Sequence, residues 1–323
     1  MNMRVIASAL PVALFCVVAG MAPAQDFPNR PLRLVVPYPP GGATDIIART
    51  LSQKLFEVFG QQVIVDNRPG GGQILGTDIV AKAPPNGYTL LLASVTHGIN
   101  PGLVAKLPYD SVRDFTPVSM VAVSPNVLVI NARLPVKSVK ELIALAKSHP
   151  GQLNYASSGN GSGGHLAMEL FRSMTGTVMT HVPYKGAGPA LTDLIAGQVQ
   201  LMFTSPLAAL PHVRTGKLRV LGVGSLKRTD AAPELVTIAE AGVPGFDAPL
   251  WYAILGPAGV ADDIVTKLNG GFKSILAMHD VRERFSSNGV DATYSTASEL
   301  GAHIGREIEK WRKVILAAGI RPD

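Results

Sequence analysis

Short apolar runs alternate with amphipathic helical stretches along nearly the whole chain, and this alternation limits the fold more than any single motif. The runs Leu32–Pro37, Val63–Asp66, Leu90–Ala93, Val127–Ile130, Leu153–Ala156, Met179–Val182, Leu201–Phe203 and Arg219–Val223 read as strands. Between them lie helices such as Asp45–Phe59, with Ile47, Leu51 and Leu55 on one stripe, and Val139–Ser148, opened by the capping box Ser138 to Glu141. A last long helix is expected over Ser298–Ala318, with its own box from Thr296 to Glu299. Strand–helix–strand alternation with apolar strands predicts an α/β protein whose parallel sheet is covered on both faces. Pro-containing breaks at Ser124-Pro125-Asn126 and Gly245–Trp251 read as two crossings between α/β lobes.

The first 24 residues are set apart from this pattern. Arg4 supplies a positive start, Val5–Met21 is apolar apart from Ser8, and Ala22-Pro23-Ala24 forms a small-x-small cleavage site before Gln25. Residues 1–24 are therefore expected to be a signal peptide that exports the chain. The single cysteine, Cys16, lies inside this leader behind Phe15, so neither a lipid anchor nor a thiol nucleophile, disulfide or Cys-bound metal is expected after cleavage. About 300 residues remain, enough for two ordinary domains. The net charge of +6 includes Arg4, and the other lysines and arginines are scattered, which argues against a nucleic-acid partner.

Two strand–loop–helix corners carry the chemistry. In Leu153–Gly186 a strand meets the loop Ser157-Ser158-Gly159-Asn160-Gly161-Ser162, then a helix, then a strand ending at Tyr184. Glycines allow close backbone approach, hydroxyls donate, and the helix start adds a positive field, so the corner suits an anion without a charged side chain. The second corner, PYPPGGATDIIAR, offers Tyr38, Gly41, Gly42, Ala43 and Thr44, with Asp45 assigned to capping. Ser94 and Thr96 follow a third strand and reach toward the same place, whereas His97 reads as structural.

Other chemistries lack their signatures. Gly159-x-Gly161-x-x-Gly164 fits a dinucleotide fingerprint, but the following strand ends His181-Val182-Pro183-Tyr184 with no acid to hold a ribose. No cofactor is expected. Ser162 has Asn160 two places before it, where a hydrolase elbow requires glycine. The seven histidines show no metal-binding spacing, so no metal is expected either.

The runs PYPPGGATDIIAR, VDNRPGGGQILGTDIVAKAPPNGYTLL, LPYDSVRDFTPVSMVAVSPNVLVIN, YASSGNGSGGHLAMELF, HVPYKGAGPALTDLIAGQVQLMF and HVRTGKLRVLGVGSLKR resemble the solute receptors of tripartite tricarboxylate transporters, the Bordetella uptake gene (Bug) type. WYAILGPAGV and the tail GREIEKWRKVILAAGI continue the resemblance over almost the whole chain after the leader. It implies a type II periplasmic-binding-protein fold: two α/β lobes with a ligand cleft between them, lobe 1 comprising 26–125 plus 249–323 and lobe 2 comprising 126–248. It implies a monomeric, non-enzymatic receptor that binds a small carboxylate through loop backbone, hydroxyls and water, and hands it to the transporter's membrane subunits. The ligand-binding set expected on this basis is Tyr38, Gly41, Gly42, Ala43, Thr44, Ser94, Thr96, Ser157, Ser158, Gly159, Asn160, Gly161, Ser162, Tyr184 and Thr204. Many relatives carry an aspartate where Thr204 stands. Its absence argues against an amino-acid ligand and for a plain organic acid. The alternatives are an exported α/β hydrolase, which the missing elbow disfavours, and a receptor that reports to a membrane sensor instead of a transporter.

Overall fold

Elements follow in the order β1 (Leu32–Val36), α1 (Ala43–Phe59), β2 (Val63–Asn67), α2 (Ile74–Ala81), β3 (Thr89–Ser94), α3 (Thr96–Leu103), β4 (Phe115–Ser124) and β5 (Val127–Asn131). The chain continues through α4 (Val139–Ser148), β6 (Asn154–Ser157), α5 (Gly163–Thr175), β7 (Thr180–Pro183), α6 (Ala187–Ala196), β8 (Leu201–Thr204), α7 (Pro206–Arg214) and β9 (Leu218–Val223). It closes with β10 (Leu250–Pro257), α8 (Asp262–Ala277), α9 (His279–Ser286), β11 (Asp291–Ala292) and α10 (Ala297–Ala317). This computed structural model describes residues 27–320 apart from Gly42 and residues 230–232. The expected leader lies outside the described residues. No helix among the described residues is long and apolar enough to cross a membrane.

The strands form two sheets, ordered β11-β4-β10-β3-β1-β2 and β7-β6-β8-β5-β9. In each, three strands run parallel, and the next strand runs against them: β10 beside β3, β5 beside β8. The parallel sheet expected from the alternation is therefore present in each lobe as a three-stranded part of a mixed sheet. The reason lies in the crossings. β1, β3, β6 and β8 end at the gap between the lobes, but β5 and β10 enter their sheets from that gap and must run the other way. The runs that became β4 and β10 were not read as strands from the sequence.

Parallel strands buried on both faces need unbroken apolar runs. Leu34, Val35 and Val36 of β1 and Leu90, Leu91 and Leu92 of β3 meet that need. One face of the six-stranded sheet packs against Ile47, Leu51 and Leu55 of α1 and Leu268, Phe272 and Ile275 of α8. On the other face, α10 packs against α3 and β4 and also reaches α5, so one apolar core runs from one sheet to the other through Leu300, Trp311, Leu166 and Phe171. Buried Glu307 anchors this helix. Its carboxylate accepts hydrogen bonds from the indoles of Trp251 and Trp311, each at 2.9 Å, and pairs with Lys310.

The two crossings are tied to each other. Asn126 Nδ2 donates to Ala248 O at 2.9 Å, the Gly224 N–H donates to Asn126 O at 2.6 Å, and the Ala248 N–H donates to Gly224 O at 2.7 Å.

Candidate functional site

Ligands of open α/β sheets bind beyond the carboxyl ends of the strands. Here both sheets deliver those ends to one cavity of about 980 Å³. Six helices of the described chain begin at its wall, with Ala43 and Thr44 of α1, Ile74 of α2, Thr96 of α3, Gly163 of α5, Ala187 of α6 and the α7 cap Ser205 all lining it. No aspartate, glutamate, lysine, arginine or histidine lines it among the described residues. The field inside comes from backbone N–H groups and helix ends, which favour negative charge.

On the first wall, four side chains form a directed chain. The Gln73 amide donates to Thr96 Oγ1 at 2.9 Å, and the Ser94 hydroxyl donates to Gln73 Oε1 at 3.1 Å. The Ser94 hydrogen is thus committed, so the Tyr38 hydroxyl, 2.6 Å from Ser94 Oγ, is the donor of that pair. The Thr96 hydroxyl, which accepts from Gln73, also neighbours the Tyr38 phenol and lines the cavity. Burial pushes the Tyr38 phenol up, opposed by its hydrogen bonds, and burial pushes Tyr252 up as well. Gln73 takes this place through a left-handed backbone, φ 76°, at the end of a glycine turn, and Asn100 Nδ2 braces the turn by donating to Gly72 O at 3.0 Å.

Asp45 stays out of the cavity. Its carboxylate accepts the Gly41 N–H at 3.0 Å, the Arg49 guanidinium at 2.9 Å and the Asn67 amide at 3.1 Å. Arg49 holds that carboxyl below the usual range.

On the second wall Ser158, Asn160, Gly161 and Ser162 face the cavity, with Thr204 at the end of β8. Ser162 caps α5, its Oγ accepting the His165 N–H at 3.3 Å. The Gly161 N–H is already spent on His165 Nδ1 at 3.1 Å. A Cβ on Gly161 would lie 2.0 Å from Leu103 Cδ2 of α3, so this glycine is where the two walls touch.

Of the expected set, Tyr38, Ala43, Thr44, Ser94, Thr96, Ser158, Asn160, Gly161, Ser162 and Thr204 line the one cavity. Gly41 is turned to Asp45, and Gly42 lies outside the described residues. Ser157 is buried behind the loop, with Oγ 2.7 Å from His181 Nε2, and Gly159 accepts the hydroxyl of Ser157. Tyr184 points away from the cavity, donating to Asp193 at 2.7 Å. Gly71, Gln73, Asn100, Asn126, Leu250 and Tyr252 line the cavity and were missed. The run Arg68-Pro69-Gly70-Gly71-Gly72-Gln73 before a helix was the available signal for the first two. Among the described residues no cluster of three His, Asp or Glu is placed to hold a metal.

Two α/β lobes whose strand ends empty into one uncharged cleft define a solute-binding protein of the periplasmic type. The chain belongs to the tripartite tricarboxylate transporter family receptors, whose model matches residues 47–320. It is 38% identical to Protein BugT of Bordetella pertussis over 315 residues, covering 96% of this chain and 97% of that one. Among solved structures it is similar to R. palustris Rpa4515 with adipate, at TM-score 0.82 and 38% identity over 92% of this chain and all of that one. It is also similar to MatC from Rhodopseudomonas palustris with bound malate, at TM-score 0.77 and 33% identity over 90% of this chain and all of that one. The protein is thus a receptor and not an enzyme.

Proposed function

We propose that this receptor binds a small organic acid in the periplasm, as a monomer exported by its leader, and delivers it to the membrane subunits of a tripartite tricarboxylate-type transporter. The observation that carries the reading is the 980 Å³ cleft ringed by helix starts and free of charged side chains among the described residues. Such a wall stabilises a carboxylate by dipoles fixed in advance, with no cation to desolvate. Residues 26–125 with 249–323 act as one lobe and 126–248 as the other, and both contribute polar groups: Thr96 from the first, Ser158, Asn160, Ser162 and Thr204 from the second. The adipate and malate of the two Rhodopseudomonas relatives support the carboxylate class, and Thr204 leaves no acid for an amino group.

The test is a panel of acids from succinate to sebacate with their hydroxy derivatives, scored by the rise in Tm and then by calorimetry. Ser162→Asp separates charge from structure, because aspartate caps a helix as well as serine does. Thermal stability should therefore hold while the new charge, set beside the ligand carboxylate, removes about two or more orders of magnitude in affinity. Ser162→Ala should cost between a few-fold and about a hundred-fold. A dimethyl ester that binds as well as its acid, or a Ser162→Asp receptor with unchanged affinity, would sink the carboxylate reading.

A further inference from the structure

Three helices among the described residues start with a serine or threonine cap and reach back from the third helical residue to the backbone before them. In α4, Ser138 caps and Glu141 accepts the N–H of Lys137 at 2.8 Å. In α10, Thr296 caps and Glu299 accepts the N–H of Thr296 at 2.8 Å. In α5, whose start faces the cleft, Ser162 caps but the third residue is His165, and its Nδ1 accepts the N–H of Gly161. An imidazole that accepts at Nδ1 from a backbone N–H is neutral, with its hydrogen on Nε2.

The surroundings keep the ring in place. His165 is stacked on His181 with centroids 4.0 Å apart and planes 10° apart, and Tyr155 lies beside the pair, 4.8 Å from His181 and 6.3 Å from His165. Ser157, at the start of the same loop, gives its hydrogen to Gly159 O and so accepts from His181 Nε2. Both ends of loop 157–162 therefore hang on two stacked rings. The charged groups beside them are Glu169 and Arg172, which pair with each other, and Glu169 also accepts from Tyr155. Leu103 and residues 318–320 close the small cavity on the other side. Burial, then the neighbouring His181 and Arg172, push the His165 ring down to about 3.

We propose that His165 is a charge-free capping residue, which shapes the anion-facing turn 159–162 at a position where glutamate would place a negative charge directly behind the ligand-facing loop. Cleft-facing α1 shows the other solution: Asp45, its third residue, is an acid, but Arg49 one turn later pairs with it. In α5 the residue one turn later is Glu169, so an acid at 165 would have a second acid as its neighbour instead of a cation.

The proposal rests on the carboxylate reading of the cleft, so its test has a part that needs no ligand. Long-range proton–nitrogen spectra of the ligand-free receptor at neutral pH should show His165 uncharged and carrying hydrogen on Nε2. A ring with hydrogen on Nδ1 overturns the proposal. The second part uses the acid that stabilises the wild type most in the panel above. His165→Gln, a neutral acceptor, should restore most of the affinity that His165→Phe loses, about tenfold, the size of one hydrogen bond. His165→Glu, which differs from His165→Gln only in charge, should bind about a hundred-fold more weakly than it. Equal affinity of the Phe and Gln variants overturns the acceptor role, and equal affinity of Glu and Gln overturns the charge argument. If His165→Glu does not fold, the Gln and Phe pair with the ring spectra decides. If no acid binds the wild type, the carboxylate reading fails, and the ring spectra still decide the capping role.

Discussion

Neither cleft tyrosine titrates near neutrality, and His165 sits behind the loop with its ring held neutral. Affinity for an organic acid should accordingly be flat from about pH 6 to about pH 9 and fall only as the ligand's own carboxyls protonate, near pH 4–5. Stability behaves differently. His97 is buried, its Nε2 donating to Ser111 O at 2.8 Å, and burial lowers its pKa to about 4. Below about pH 6.5 the unfolded chain binds a proton that the fold refuses, so stability falls with pH from there to about 4, by about 3 kcal/mol for this ring alone. Urea unfolding across that window checks the slope, and His97→Phe should reduce it by this ring's share while the other buried histidines, His165 among them, keep the rest. Calorimetry on the same samples checks the affinity plateau, and an inflection near pH 7 would show a titrating group at the site. At this scale much of the cleft was legible. Ser158, Asn160, Ser162 and Thr204 sit at strand-to-helix corners, where local sequence dictates geometry. Gln73 and Asn126 were hidden, because their roles depend on partners 23 and 122 residues away.

Secondary structure was easiest to read where a strand is buried on both faces and flanked by an amphipathic helix, as with β1, β3, β6 and β8. The harder elements were β4 and β10. Each borders a Pro-containing crossing, and each takes its direction from the lobe it arrives from, which no local pattern encodes. The link between the crossings is accordingly the element-scale feature to test. Asn126→Ala leaves the Ala248 carbonyl without its buried donor, which costs about 1–3 kcal/mol. The Gly224–Ala248 bond should open more often in that variant, and hydrogen exchange should quicken at the Ala248 amide while the amides of β1 and β6 keep their protection. Unchanged exchange at Ala248 would mean that Trp251 and Glu307 hold the return crossing without help.

Both sheets share one plan, three parallel strands followed by one that runs against them, but the chain completes them at different times. Every strand of the five-stranded sheet lies between Val127 and Val223, a contiguous stretch. In the six-stranded sheet β3 and β4 do not pair with each other, and β10, which begins only at Leu250, is the strand that joins them. The amino-terminal half therefore cannot close its sheet until nearly the whole polypeptide is present. In refolding followed by pulsed hydrogen exchange, amides of β5, β6 and β8 should gain protection before those of β4, and simultaneous protection would refute that order. For a chain that emerges amino end first, the part begun earliest is finished last. While it waits, β3 and β4 offer unpaired edges to any neighbouring strand, and this is the interval in which a holding chaperone would have the most to do.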